Sequence, residues 1–267
     1  MTTEKINYVW LVFHYETNKL SSLTGREEDK ENSKADIVFK YTTASIKSFI
    51  AHNPEKAKDI TIFTDDVNLI KENIKKYINQ DINIKDITEN INKWKDHSYP
   101  WNPKASFLKY LKSEFNTSVF FIDNDCICKD STDDLEYKIK SEECIVLWEL
   151  ERVLTDTRPY WGWQKTAKYL NKPLSYKVFN NGIIGINKKY INEGIFDVNY
   201  DMCLDIWKNI DLTNIPGRPN DYIPKKLFIS EQISLSFVAQ DKSLKIYESK
   251  NYFDHHYADK LLCLKYL

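Results

Sequence analysis

Val119-Phe120-Phe121-Ile122-Asp123-Asn124-Asp125-Cys126-Ile127 is the stretch on which the fold is decided. Four apolar β-formers in a row read as a strand buried on both faces, the kind found in sheets covered by helices on each side. Asp is a poor strand residue, so the strand is expected to stop at Asp123. Open α/β sheets place their ligand crevices at the carboxyl ends of such strands. Two carboxylates at i and i+2 converge on one ion if the chain turns there. One or two carboxylates plus a substrate's phosphates is the usual Mg²⁺ arrangement, and Mn²⁺ takes similar oxygen ligands. The plainer alternative is a strand followed by an Asp-rich turn, since Asp and Asn are common turn formers.

Working outward, the residues before this stretch alternate. A first buried strand is expected over 6–13, around Tyr8-Val9-Trp10-Leu11-Val12-Phe13. A polar loop or insertion follows over about 17–35. Helical periodicity covers 39–50 and stops before Asn53-Pro54. A second strand over 60–63 ends in Thr64-Asp65-Asp66. Residues 68–78 are amphipathic, with Leu69, Ile70, Ile74 and Ile78 on one side. Residues 82–87 alternate like a half-exposed strand. A helix over 103–115 opens near Pro103. Strand–helix alternation of this kind predicts an α/β fold: a mainly parallel, Rossmann-like central sheet with helices on both faces. Behind it the pattern is mixed. Strands are expected over 144–148 and over 178–186, the second broken by Asn180-Asn181-Gly182, and a helix over 227–238. No internal repeat or linker composition divides the chain, so one continuous domain is expected.

Composition narrows the function classes. The 267 residues are 42% apolar and 29% charged, as in an ordinary globular protein. A net charge of −1, with no arginine-rich block, gives no electrostatic case for nucleic acid. Five cysteines form no C-x-x-C pair, and no signal core or membrane-length apolar run is visible, so reduced thiols in a cytoplasmic setting are expected. The apolar, lysine-bearing end of the chain is expected to dock on the body, with at most peripheral membrane contact. Aromatics reach 14%, including 17 Tyr and 7 Trp. Tyr160, Trp161 and Trp163 surround Gly162 and suit an acceptor platform or core packing equally well.

Four later features carry candidate chemistry. Phe179-Asn180-Asn181-Gly182 sets two amides and a glycine in an apolar strand, where a glycine often marks close backbone approach and amides suit sugar hydroxyls; the alternative is a hairpin turn. Glu231-Gln232 opens a helix behind Ser230, a candidate N-cap; the alternative is a solvated first turn with a helpful negative charge. Asp254-His255-His256-Tyr257-Ala258-Asp259-Lys260 offers an imidazole that completes a Mn²⁺ site begun by two carboxylates, or is a surface loop. Lys104, at a helix start, suits a phosphate.

Taken in order, strand-Asp-x-Asp, then Phe-Asn-x-Gly, then acid-Gln, then His-Tyr with a following lysine, the chain resembles the GT-A fold glycosyltransferases, most of all family 8, from about Tyr8 to Lys260. The resemblance implies a single domain over 1–267, with a nucleotide-sugar half over about 1–128 and an acceptor half over about 129–267. It implies Asp123, Asp125 and His256 as ligands of Mn²⁺ (or Mg²⁺). Tyr15, Thr64, Asp65, Lys104, Asp123, Asn124, Asn180 and Lys260 are implied around the donor, and Asn181, Glu231 and Gln232 near the reacting carbon. The implied activity is metal-dependent transfer of a hexose from a nucleoside-diphosphate sugar, UDP-sugar favoured, to a hydroxyl of a glycan or lipid-linked glycan, with retention. Glu231-Gln232-Ile233 stands where the family usually has Asp-Gln-Asp, and Lys260 is followed by Leu-Leu rather than Pro-Trp. A non-catalytic relative of these enzymes and a haloacid-dehalogenase-type phosphatase are the competing classes. The phosphatase motif belongs to a first strand and wants Thr or Val where Ile127 stands.

Overall fold

The structure, a computed structural model, describes residues 5–14, 35–95, 102–141, 144–154, 162–211, 230–256 and 260–267. Its first half runs β1 (Ile6–Val12), α1 (Ala35–His52), β2 (Ile60–Thr64), α2 (Val67–Tyr77), β3 (Asn83–Asp86), α3 (Thr88–Lys95), α4 (Asn102–Glu114) and β4 (Ser118–Ile122). The second half runs β5 (Cys126–Cys128), α5 (Asp133–Ser141), β6 (Cys144–Val153), α6 (Trp163–Tyr169), β7 (Lys177–Ile186), α7 (Lys188–Asn192), α8 (Ile195–Asn209), α9 (Ser230–Asp241), β8 (Lys245–Glu248) and β9 (Phe253–His255). Short 3₁₀ segments cover Pro54–Asp59 and Lys260–Tyr266.

Seven strands form one sheet in the order β3-β2-β1-β4-β7-β6-β8. β1 to β4 are mutually parallel, as the strand–helix alternation predicts. β7 then runs antiparallel to both β4 and β6, and β8 returns parallel to β6. The sheet is therefore mostly parallel at the front and mixed behind. β5 and β9 stand apart as a two-stranded antiparallel pair.

Strand alternation splits the core into two layers. Val9, Leu11, Phe63, Phe121 and Ile184 face α3, α4 and α7 to α9, packing on Ile91, Phe107, Phe196 and Leu235. Tyr8, Trp10, Ile62, Phe120 and Ile122 face α1, α2 and α5, packing on Phe49, Ile70 and Ile139. Phe120 and Phe121 thus anchor opposite layers from adjacent positions. Losing either ring is expected to cost about 3–5 kcal/mol. A third cluster, with Trp163, Val178, Ile206 and Phe237, supports the back half. Trp163 is buried in it, so its ring is core and not an acceptor platform; Tyr160 and Trp161 lie outside the described residues. The expected break in β7 takes the form of a bulge inside a continuous strand. Lys177–Ile186 is one strand, but between the pairs Leu147↔Ile184 and Glu149↔Asn180 it carries Asn181, Gly182 and Ile183 where β6 has Trp148 alone; a second, smaller shift falls on β6 between Leu150 and Arg152. Among the described residues no helix is long and apolar enough to cross a membrane.

Candidate active site

The chain does turn at the paired acids. The Asp123 N–H donates to the Gly182 carbonyl (2.8 Å), carrying the β4–β7 ladder one residue past the strand. The Cys126 N–H then donates back to the Asp123 carbonyl (3.2 Å), closing a four-residue turn that throws the chain off the sheet into β5. Both acids consequently sit at the carboxyl end of β4, where the parallel strands place their crevice.

Each carboxylate already faces a cation. The Lys104 ammonium, in the first turn of α4, donates to Asp123 Oδ2 (2.6 Å) and to the Asn181 carbonyl (3.1 Å), and lies 5.3 Å from the Phe121 ring centre. Lys260 meets Asp125 Oδ2 at 2.7 Å and His255 Nε2 meets Asp125 Oδ1 at 3.1 Å. Burial pushes the Asp125 carboxyl up, but Lys260 and His255 outweigh it and hold the group well below the usual carboxylate range. At Asp123 burial dominates, Lys104 opposes it, Asp125 adds to it, and the carboxyl ends above its usual value. Burial lowers the Lys104 ammonium, yet Asp123, Glu231 and Asp125 together raise it, so it stays charged.

The structure sets His255, not His256, against the acids. Adjacent side chains on an extended strand point to opposite sides, so only one of the two faces Asp125. The pairing Cys126↔His255 decides which. His256 meets Asp125 through its backbone, the N–H donating to the Asp125 carbonyl (2.9 Å), and its Nε2 is buried without a hydrogen-bond partner. Gly182 makes room for the His255 ring. A Cβ there would lie 2.6 Å from both Cε1 and Nδ1 of the imidazole.

The amides and the first turn of α9 close the other side. Asn180 Oδ1 accepts from the Gly182 N–H (2.8 Å), a local bond that holds β7 through its two amides. Asn181 Nδ2 donates to the Glu231 carbonyl (3.2 Å), while its Oδ1 is buried without a partner. Asn124 Oδ1 is another buried oxygen without a partner. Ser234, one turn further, donates to Asn199 Oδ1 (2.6 Å) and ties α9 to α8. Glu231 and Gln232 are both buried.

Thr64 and Asp65 form a second cluster, one and two strands across at the ends of β1 and β2. Asp65 accepts from the His14 N–H (3.0 Å) and from Lys95 Nζ (3.2 Å). Thr64 Oγ1 accepts from the Asp66 N–H (3.0 Å), and Asp66 caps α2 through the Leu69 N–H (2.9 Å). Tyr15 lies outside the described residues. The structure thus brings together Lys104, Asp123, Asp125, Asn181, Glu231 and Lys260. It adds two residues the sequence did not single out for the site, His255 and Cys126. The signal for His255 was present in the His-His pair, but only strand register separates the two.

Three of these side chains together offer ligand atoms for a divalent ion. Asp125, Cys126 and His255 each offer a ligand atom, all within 4.8 Å of one another. Burial, with Asp125 and Asp123 nearby, pushes the Cys126 thiol well up, so without an ion it stands as a neutral thiol.

No protein-family model and no curated protein matches the chain. Solved structures do. The galactosyltransferase LgtC, crystallised with donor and acceptor sugar analogs, is 14% identical with a TM-score of 0.51, over 87% of this chain and 70% of that one. Mouse xyloside xylosyltransferase 1 is 7% identical with a TM-score of 0.52, over 91% of this chain and 85% of its own. The bifunctional glycosyltransferase WbbM is 14% identical with a TM-score of 0.52, over 99% of this chain and half of its own. At these identities the likeness defines the fold: this is an α/β chain with the GT-A fold of glycosyltransferases.

Proposed function

We propose that this chain is a metal-dependent glycosyltransferase of the family 8 kind. It moves a hexose from a nucleoside-diphosphate sugar, UDP-sugar favoured, to a hydroxyl of a glycan or lipid-linked glycan, in surface polysaccharide or glycolipid synthesis. The observation that carries this reading is the convergence of Asp123 and Asp125 with Lys104, Lys260 and His255 at the carboxyl end of β4.

Asp123, Asp125 and His255 would hold Mn²⁺ or Mg²⁺. When bound, the ion supplies a Lewis acid for the charge that grows on the departing diphosphate. Lys104 and Lys260, now spent on the two acids, become the second source of positive charge for that leaving group once an ion takes the carboxylates. As the bond to the diphosphate breaks, the sugar becomes oxocarbenium-like. Asn181 Oδ1 and Asn124 Oδ1 are buried acceptors that a sugar hydroxyl would satisfy. Gln232 has an amide, a very weak nucleophile, so its role is to position the sugar or stabilise its charge. Glu231 is the carboxylate of the first turn of α9 and serves as the base if the outcome is inversion instead of the proposed retention. Thr64, Asp65, Asn180 and Tyr15 complete the donor side. The half over about 1–128 takes the donor and the half over about 129–267 the acceptor, in a cytoplasmic setting with at most peripheral membrane contact.

A thermal-shift screen of nucleotide sugars with and without Mn²⁺ tests this. One UDP-hexose is expected to stabilise the protein only with the ion, by about 2.7 kcal/mol at a hundredfold excess over Kd. Its slow hydrolysis is expected to fall about 10³-fold in Asp125→Asn. Stabilisation without turnover, with or without acceptor sugars, would leave only a nucleotide-binding relative of these enzymes.

A further inference from the structure

Cys126 is a soft ligand standing among hard ones. In the β5–β9 pair it lies directly across from His255, so both side chains emerge on one face. Gly182 lies under both: a Cβ there would be 3.1 Å from Cys126 Sγ and 2.6 Å from His255 Nδ1. Asp125 precedes Cys126 and already bonds the His255 ring. The three ligand atoms are within 4.8 Å of one another, and all three residues are held by the Asp123–Cys126 turn or by β9.

We propose that this thiol makes the site selective for Zn²⁺, with Asp125, Cys126 and His255 as three protein ligands to one zinc ion. Bond lengths of about 2.0–2.3 Å put tetrahedral ligand atoms about 3.5 Å apart, so closure by roughly 1 Å through side-chain rotation completes the set. Binding breaks the Cys126 S–H bond. Its proton goes to solvent, its electron pair forms the S–Zn bond, and zinc keeps its oxidation state. The Gly182 carbonyl gives up the thiol that now donates to it at 3.3 Å. Two arguments favour zinc over Mn²⁺ here. Nitrogen and oxygen sites already prefer Zn²⁺ in the divalent series, and a thiolate adds preference for the softer ion. A thiolate-closed zinc also has fewer positions left for a diphosphate. Zinc therefore acts as an inhibitor that displaces the working ion, a consequence that rests on the transferase reading although the binding itself does not.

Co²⁺ and Zn²⁺ binding to the full chain tests it. Co²⁺ is expected to give a thiolate-to-cobalt charge-transfer band that Zn²⁺ bleaches at one equivalent. The band is expected to vanish in Cys126→Ser, whose hydroxyl can still donate to Gly182, and to persist in Cys263→Ser. Zn²⁺ affinity falls by about tenfold or more in Cys126→Ser while Mn²⁺ affinity, read by electron paramagnetic resonance, is unchanged. Zinc X-ray absorption on the wild-type protein needs no variant and is expected to show one sulfur at about 2.3 Å. A shell of oxygen and nitrogen alone, or a band that survives Cys126→Ser, overturns the zinc site and leaves the transferase reading intact. Sulfur ligation with no Mn²⁺-dependent donor binding would do the reverse.

Discussion

Two lysines, Lys56 buried and Lys104 partly so, organise two clusters of charge at opposite ends of the parallel strands, and the clusters differ in one respect. Lys56, just before β2, donates to Asn53 Oδ1 (3.1 Å), Thr132 Oγ1 (3.0 Å) and Asp133 Oδ1 (2.7 Å), and pairs with Glu136. Glu136 also accepts from Tyr8 and Lys140. Burial, then Glu136, pushes the Tyr8 phenol far up, so it stays a neutral donor. Among the described residues no polar atom of Asn53, Lys56, Thr132 or Glu136 is left without a partner. Lys104, at the carboxyl ends, uses the same ingredients, yet around it Asn181 Oδ1, Asn124 Oδ1 and His256 Nε2 are buried and unsatisfied. The first cluster is complete as folded. The second leaves buried polar atoms without a partner, and the proposed ion and donor would meet it there.

That contrast can be broken by experiment. Lys56→Met leaves Glu136 with Lys140 in place of two cations and strips Asn53 and Thr132 of a donor, and is expected to lower stability by about 1–3 kcal/mol in denaturant unfolding, with Mn²⁺ restoring none of it. The activity per folded molecule should hold. Lys104→Met is expected to behave oppositely. Transfer or donor hydrolysis falls about 10²-fold. With its competitor gone, Mn²⁺ binds on the order of tenfold more tightly without donor, and Mn²⁺ recovers the lost stability. If Mn²⁺ rescues both variants or neither, the two clusters are not different in kind. The smallest effect concerns an acid that is structural although it lies at the carboxyl end of β2. Asp66→Ala removes the cap of α2 and should cost about 1 kcal/mol. The Leu69 N–H holds the Asp66 carboxyl below its usual value of 3.8, against burial and with help from His14. Its contribution is therefore full above the unfolded pKa and disappears as pH falls through the lower folded one. A wild-type minus variant difference that persists at pH 2 would contradict the cap.

The front of the fold was legible because its signals are local. β1, β2 and β4 are apolar runs, β3 shows the alternation of a half-exposed strand, and α2 shows its stripe. β5 and β9 were not, since three residues are too few to show a period. The Asn-Asn-Gly stretch read as a break because those residues favour turns. The strand runs on through it as a bulge against β6, with Asn180 bonding the Gly182 N–H and the His255 ring filling the space a side chain would need. At the site, Asp123 and Asp125 were readable from strand chemistry and Lys104 from a helix start. Choosing between His255 and His256 depends on register, where one residue of slip exchanges the faces. The Lys56 cluster was invisible because Tyr8, Lys56 and Glu136 meet only through the tertiary fold.

The central claim is that the carboxyl-end cluster is completed by an ion together with a nucleoside diphosphate. Calorimetric titration of UDP into the full chain, with and without Mn²⁺, on wild type and Asp125→Asn, tests it most directly. UDP should bind wild type at least about tenfold more tightly when Mn²⁺ is present, a coupling of about 1.4 kcal/mol or more, and Asp125→Asn should erase the difference. Equal UDP affinity with and without the ion in the wild-type protein would contradict the account.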